Sequence, residues 1–137
     1  MTPFSDHVMA DADWANLTHF DKSEFAEPSA MGLNFLHWLD GVREAAGVPF
    51  HITSSYRTHA HNVAVGGAAD SAHCDLPCNA VDLMPANGEE RFKIIDAALA
   101  AGCQRIGLYA NGSIHLDRTE DKRPAPAIWT VVANKAK

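Results

Sequence analysis

No stretch of this chain approaches the roughly 20 apolar residues needed to span a bilayer. Its opening, Met1-Thr-Pro-Phe-Ser-Asp-His7, has neither the basic nor the apolar region of a secretion signal. Basic charge is scarce: eleven Lys and Arg stand against seventeen Asp and Glu, a net charge of −6. The basic residues are scattered and never run beyond a pair, so a nucleic-acid backbone has no face to bind. Cysteine is sparse and odd in number (Cys74, Cys78 and Cys103), which fits a reducing compartment better than a disulfide scaffold. Repeats, low-complexity tracts and linkers are also missing. These absences lead us to expect an N-terminal arm over 1–18 and a single domain over 19–134. That domain is expected to be a monomer with no nucleic-acid partner and no membrane insertion. What is present is ordinary: 137 residues, 47% hydrophobic and 20% charged, long enough to form a core without disulfides.

Residues 1–20 read as a loose arm. Asp21-Lys-Ser-Glu24 has the cap-then-glutamate spacing of a short helical turn. A helix opens at Pro28-Ser29, with Met31, Phe35, Trp38 or Leu39, Val42 and Ala46 as its core stripe, and stops at Gly47 and Pro49. Strands are expected at 50–54, 80–84, 105–109, 113–117 and 128–132, with Asn111-Gly112 as a hairpin turn. A short helix is expected over 58–65, a loop over 68–79, and a second long helix over 88–101 burying Phe92, Ile95 and Leu99. The tail 135–137 is expected to fray. The order of elements predicts an α+β domain with a small, mainly antiparallel sheet and helices on one side.

Alternation along the strands carries the chemistry. Ile114 and Leu116 turn inward, as do Val81 and Leu83, leaving His115, Asp117 and Asp82 on the opposite face. The loop before Asp82 brings His73. Two imidazoles and a carboxylate suit a catalytic zinc with one position open to water. The alternative is a solvated or paired acid beside ordinary histidines, and the spacing from His73 to Asp82 does not decide between them. The other six histidines (His7, His19, His37, His51, His59 and His61) read as ordinary surface or partly buried groups.

Several ordered blocks resemble a family. They are Thr53-Ser-Ser-Tyr-Arg57, Asn62-x-x-Val65-Gly-Gly67, Ser71-x-His73, Ala80-x-Asp82, and Ile106-Gly-x-Tyr109 leading to His115-x-Asp117. Together they are similar to the zinc peptidases that trim bacterial peptidoglycan, the D-alanyl-D-alanine carboxypeptidase and L-alanyl-D-glutamate endopeptidase group, whose fold is shared with the Hedgehog signalling domain. His19-Phe20, Glu24-Phe25, Pro28 and the helix from Leu39 to Gly47 resemble that family's opening segment.

The resemblance implies that His73, Asp82 and His115 hold one Zn²⁺ per chain. It implies that Arg57 grips a substrate carboxylate or carbonyl oxygen; the alternative is a structural arginine paired with an acid. Ser71 would hydrogen-bond the substrate or cap its own loop. One departure stands out: relatives usually have a glycine and a shorter loop where Cys74-Asp-Leu-Pro-Cys-Asn79 lies here. Either this loop bulges, the expected outcome, or Asp75 or a cysteine joins the metal. Several relatives also carry an acid or histidine two or three residues before the last ligand, where this chain has Ser113 and Gly112. Asp117 is therefore the candidate general base, or else an acid that orients a ligand imidazole. The implied activity is zinc-dependent hydrolysis of an amide bond in a peptidoglycan stem peptide, of carboxypeptidase or endopeptidase type. Without a wall-binding repeat or a signal peptide, the chain suits a phage or prophage endolysin that stays cytoplasmic until released, or is exported by another route. The rival is a catalytically silent, zinc-stabilised binding module or phage structural module of the same fold.

Overall fold

The computed structural model describes residues 6–132. The tail at 135–137 and the first five residues of the expected arm lie outside the described residues. Five strands, β1 (Ile52–Ser54), β2 (Ala80–Leu83), β3 (Arg105–Tyr109), β4 (Ile114–Asp117) and β5 (Ala127–Val131), form one sheet in the order β1-β2-β4-β3-β5. Three of the four pairings are antiparallel and β5 runs parallel to β3, giving a mainly antiparallel α+β domain as expected. β4 already has partners on both sides. The chain leaving it therefore pairs at the free edge of β3, which a reading of consecutive strands does not reveal.

Three helices accompany the sheet: α1 (Leu33–Ala46), α2 (His59–Ala64) and α3 (Gly88–Ala100). α1 starts later than expected. Pro28–Ala30 is a 3₁₀ turn, after which Met31 and Gly32 are extended and bridge Cys78 and Val8. Gly32 has no side chain with which to cap α1, so the Asp6 carboxylate does it, accepting from the N–H groups of Asn34 (2.8 Å) and Phe35 (3.0 Å). The expected loose arm is thus a correction: Met9, Trp14 and Leu17 are buried in the core with Phe35, Leu36 and Leu39. α1 ends at Gly47, whose φ of 68° is the left-handed cap that a glycine adopts without strain.

α3 corrects a second expectation. Its buried residues are Ile94, Ala97 and Ala98; of the three expected, Ile95 is partly buried against the core, whereas Phe92 and Leu99 are 70% and 51% exposed. Two apolar stripes run along this helix. Packing against α1 buries the one with small alanines, where backbones approach closely. The apolar face of the sheet, with Val81, Leu83, Ile106, Ile114 and Leu116, shares one core with α1 and α3.

Candidate metal centre

Register builds two-thirds of the site. Asp82 on β2 lies opposite His115 on β4, and Ala80 lies opposite Asp117. Because side chains alternate, this puts Asp82, His115 and Asp117 on the face away from the apolar core. The third donor comes from the loop. Ser71 caps a 3₁₀ turn over Ala72–Cys74, its Oγ accepting the His73 N–H at 3.2 Å, and the Arg57 N–H donates to the His73 carbonyl at 2.8 Å. The turn is thereby tied to the segment after β1. All three side chains are buried: His73 is 2%, Asp82 1% and His115 5% exposed.

The outer nitrogen of each imidazole is occupied. His73 Nδ1 lies 2.7 Å from the Ser55 carbonyl oxygen, which can only accept, so Nδ1 carries the hydrogen and the Nε2 lone pair points inward. His115 Nε2 lies 2.7 Å from Asp117 Oδ2, an acceptor that fixes the opposite tautomer and turns Nδ1 inward. The inward atoms meet: His73 Nε2 and His115 Nδ1 are 3.2 Å apart, and Asp82 Oδ1 is 3.2 Å from the first and 3.0 Å from the second. A tetrahedral ion bound at about 2.0–2.1 Å separates its ligands by about 3.3–3.4 Å. Asp82 Oδ2 is buried with no partner among the described residues. Buried carboxylate oxygens are not left so without reason. This donor set could hold a metal ion, and two nitrogens with one oxygen leave a position for a reactant.

Charge follows the same geometry. Burial opposes an imidazolium at His115, but the hydrogen bonds to Asp117 and Asp82 outweigh it and raise its pKa to about 9. His73 moves the other way: burial lowers it more than Asp82 raises it. Burial works against ionised Asp82, yet the two histidines hold it well below the usual carboxylate range. Asp117 likewise falls to about 2 despite burial, through His115, Thr119 and Arg105.

Asp117, expected as a proton acceptor, stands behind His115, fully buried. Its Oδ1 accepts from Arg105 Nε (2.8 Å), from the Thr119 N–H (3.0 Å) and from Thr119 Oγ1 (2.7 Å). The long loop bulges. Asp75 turns away to Arg123, and Cys74, Cys78 and Cys103 are free thiols outside the donor group. Burial pushes Cys78 up to about 12 and Cys103 to about 11.

Above the donors is a cavity of about 200 Å³, bordered by His73 and His115 together with Arg57, Tyr109, Arg105 and Trp129. A larger cleft of about 380 Å³ lies along β1 and the segment 23–27, and shares Arg57 with the first. Arg57 is buried, its Nη2 donates to Ser71 Oγ at 3.4 Å, and its Nε and Nη1 have no partner among the described residues. Sequence reasoning missed Trp129. It sits beside Gly107, which in turn lies opposite His115, and its ring centre is 5.4 Å from that of His115. A Cβ on Gly107 would come within 2.8 Å of the indole Nε1, so the glycine makes room for the ring. Apart from His73 and His115, the described histidines are exposed or half-exposed.

Residues 15–117 match the family model described as Peptidase M15. No curated protein matches the chain significantly.

Proposed function

The chain belongs to the Peptidase M15 family, the zinc D-alanyl-D-alanine carboxypeptidase family, and from that membership we propose that it hydrolyses an amide bond in peptidoglycan stem peptides with one zinc ion held by His73, Asp82 and His115. The observation that carries this reading is the convergence of three buried donors, two of them imidazoles whose outer nitrogens are already committed, with the second Asp82 oxygen left without a partner among the described residues. When bound, the ion supplies Lewis-acid activation of water and of the scissile carbonyl, and stabilises the charge that develops. The chain's own residues do the rest. The Ser55 carbonyl and Asp117 fix the tautomers of the two ligand imidazoles, which gives Asp117 an orienting role. Arg57, with two unpartnered N–H nitrogens at the cavity, binds a substrate carboxylate or carbonyl oxygen. Ser71 caps the turn that carries His73 and accepts a hydrogen bond from Arg57. Trp129 and Tyr109 wall the cavity and limit water.

The substrate class, the endolysin setting and a cytoplasmic stay before release belong to this proposal. Among the described residues no helix is long and apolar enough to cross a membrane. A silent zinc-stabilised module is the second reading, favoured by Gly112 and Ser113 standing where relatives carry an acid and by the sequestered Asp117. Incubating zinc-loaded protein with purified peptidoglycan, followed by mass spectrometry of the products, separates the two. We expect new amino termini and shortened stems. Stoichiometric zinc with unchanged muropeptides would rule out the hydrolase and leave the module.

A further inference from the structure

The hydrolytic reading leaves one task unassigned, which is the group that takes the proton from the attacking water. It must border the cavity, be able to accept a proton, and not be a ligand. Among the described residues bordering the cavity, Arg57 and Arg105 are permanently protonated, Tyr109 is a donor at neutral pH, and His73 and His115 have both nitrogens committed. One carboxylate remains, Asp70.

Asp70 is held in place by an unusual clamp. The Arg123 side chain is 7% exposed and grips the loop on both sides of His73. Its Nη2 donates to Asp70 Oδ1 (3.0 Å) and its Nε to the Asp70 carbonyl (3.3 Å), while Nη1 donates to Asp75 Oδ2 (2.7 Å). Asp75 belongs to the stretch 74–79 between His73 and β2. Asp75 thus anchors an arginine that also holds Asp70, a residue bordering the cavity.

We propose that Asp70 is the proton-accepting carboxylate of this site, positioned by the half-buried Arg123–Asp75 pair. This rests on the hydrolytic reading. An O–H bond of water breaks and its proton passes to Asp70 while the oxygen bonds the carbonyl carbon. The C–N bond then breaks, its electron pair stays on nitrogen, and Asp70 returns the proton to the leaving amine. The Asp70 side chain is 87% exposed, so it exchanges protons with bulk water between turnovers.

The test uses zinc-loaded protein and two readouts. Asp70→Asn keeps an oxygen for Arg123 and should retain full zinc content, while kcat on peptidoglycan falls by about 10²-fold or more. Acetohydroxamic acid, titrated by calorimetry, must give its proton to a neighbouring base as it binds. Its affinity should fall by about tenfold or more in Asp70→Asn, the loss of one charge-assisted hydrogen bond, and recover in Asp70→Glu. Equal affinity in Asp70→Asn and the unaltered protein overturns the proposal, as does a lack of hydroxamate binding to the unaltered zinc protein. If peptidoglycan stays uncut, the hydrolytic reading fails while the hydroxamate comparison still decides Asp70.

Discussion

His115 is held at both nitrogens, and the two contacts together decide how its protons respond to a metal. Asp117 fixes one hydrogen on Nε2, and Asp82 favours a second on Nδ1, the atom turned toward the shared centre. Without a metal, a folded pKa of about 9 against 6.5 means that His115 stabilises the fold fully below pH 6.5, a contribution lost as pH rises through about 9. A metal ion displaces the Nδ1 proton. Zinc affinity, measured by chelator competition, should therefore rise about tenfold per pH unit between about pH 7 and 9; a flat profile there would contradict the assignment. As pH falls further, protons compete with the metal for the imidazole nitrogens and hydrolysis should fall away, so full turnover at about pH 4.5 would count against them as ligands. His73→Ala and His115→Ala should each abolish both stoichiometric zinc and activity. Asp117→Asn should weaken zinc by about 10–100-fold, whereas a general base at that position would lower turnover and leave affinity alone. Strand alternation already placed Asp82, His115 and Asp117 on one face. It could not show that Asp117 lies behind His115, because that depends on Arg105 and Thr119 closing around it.

At the scale of elements, legibility tracked how local the determining physics is. The stop of α1 at Gly47 and the turn at Asn111-Gly112 depend on a residue or two and read directly from sequence. The start of α1 does not, since its cap is a side chain 28 residues away in sequence. Nor does the buried face of α3, where two apolar stripes compete and only the partner helix chooses. That choice predicts a contrast in denaturant titration: Ile94→Ala should cost about 2–5 kcal/mol, while Phe92→Ser should stay within about 0.5 kcal/mol. Reversed magnitudes would return the helix to its other face. β5 was legible as a strand, but its parallel seat beside β3 was not, and so Trp129 went unplaced. Gly107→Ala should push the indole off its shelf, altering the near-ultraviolet dichroism and lowering activity while zinc stays bound. An unchanged spectrum would show that the shelf is not needed.

For the whole molecule, the centre ties the short turn at Ala72–Cys74 to two central strands, β2 and β4. Binding to the folded state alone should make thermal stability depend on zinc, by about 4 kcal/mol when free zinc is a thousandfold above its dissociation constant. Calorimetry with and without chelator measures this. The family, the fold class and the three donors could be read because their residues recur in ordered blocks. The clamp of Arg123 on Asp70 and Asp75 could not, because it joins residues 53 and 48 positions apart in sequence outside any such block. The account is tested most directly by diffraction from crystals of the zinc-loaded protein, recorded on both sides of the zinc absorption edge. It predicts one anomalous peak per chain within about 2.0–2.2 Å of His73 Nε2, His115 Nδ1 and an Asp82 oxygen. A peak elsewhere, or His115 bound through Nε2 with Asp117 displaced, would contradict it.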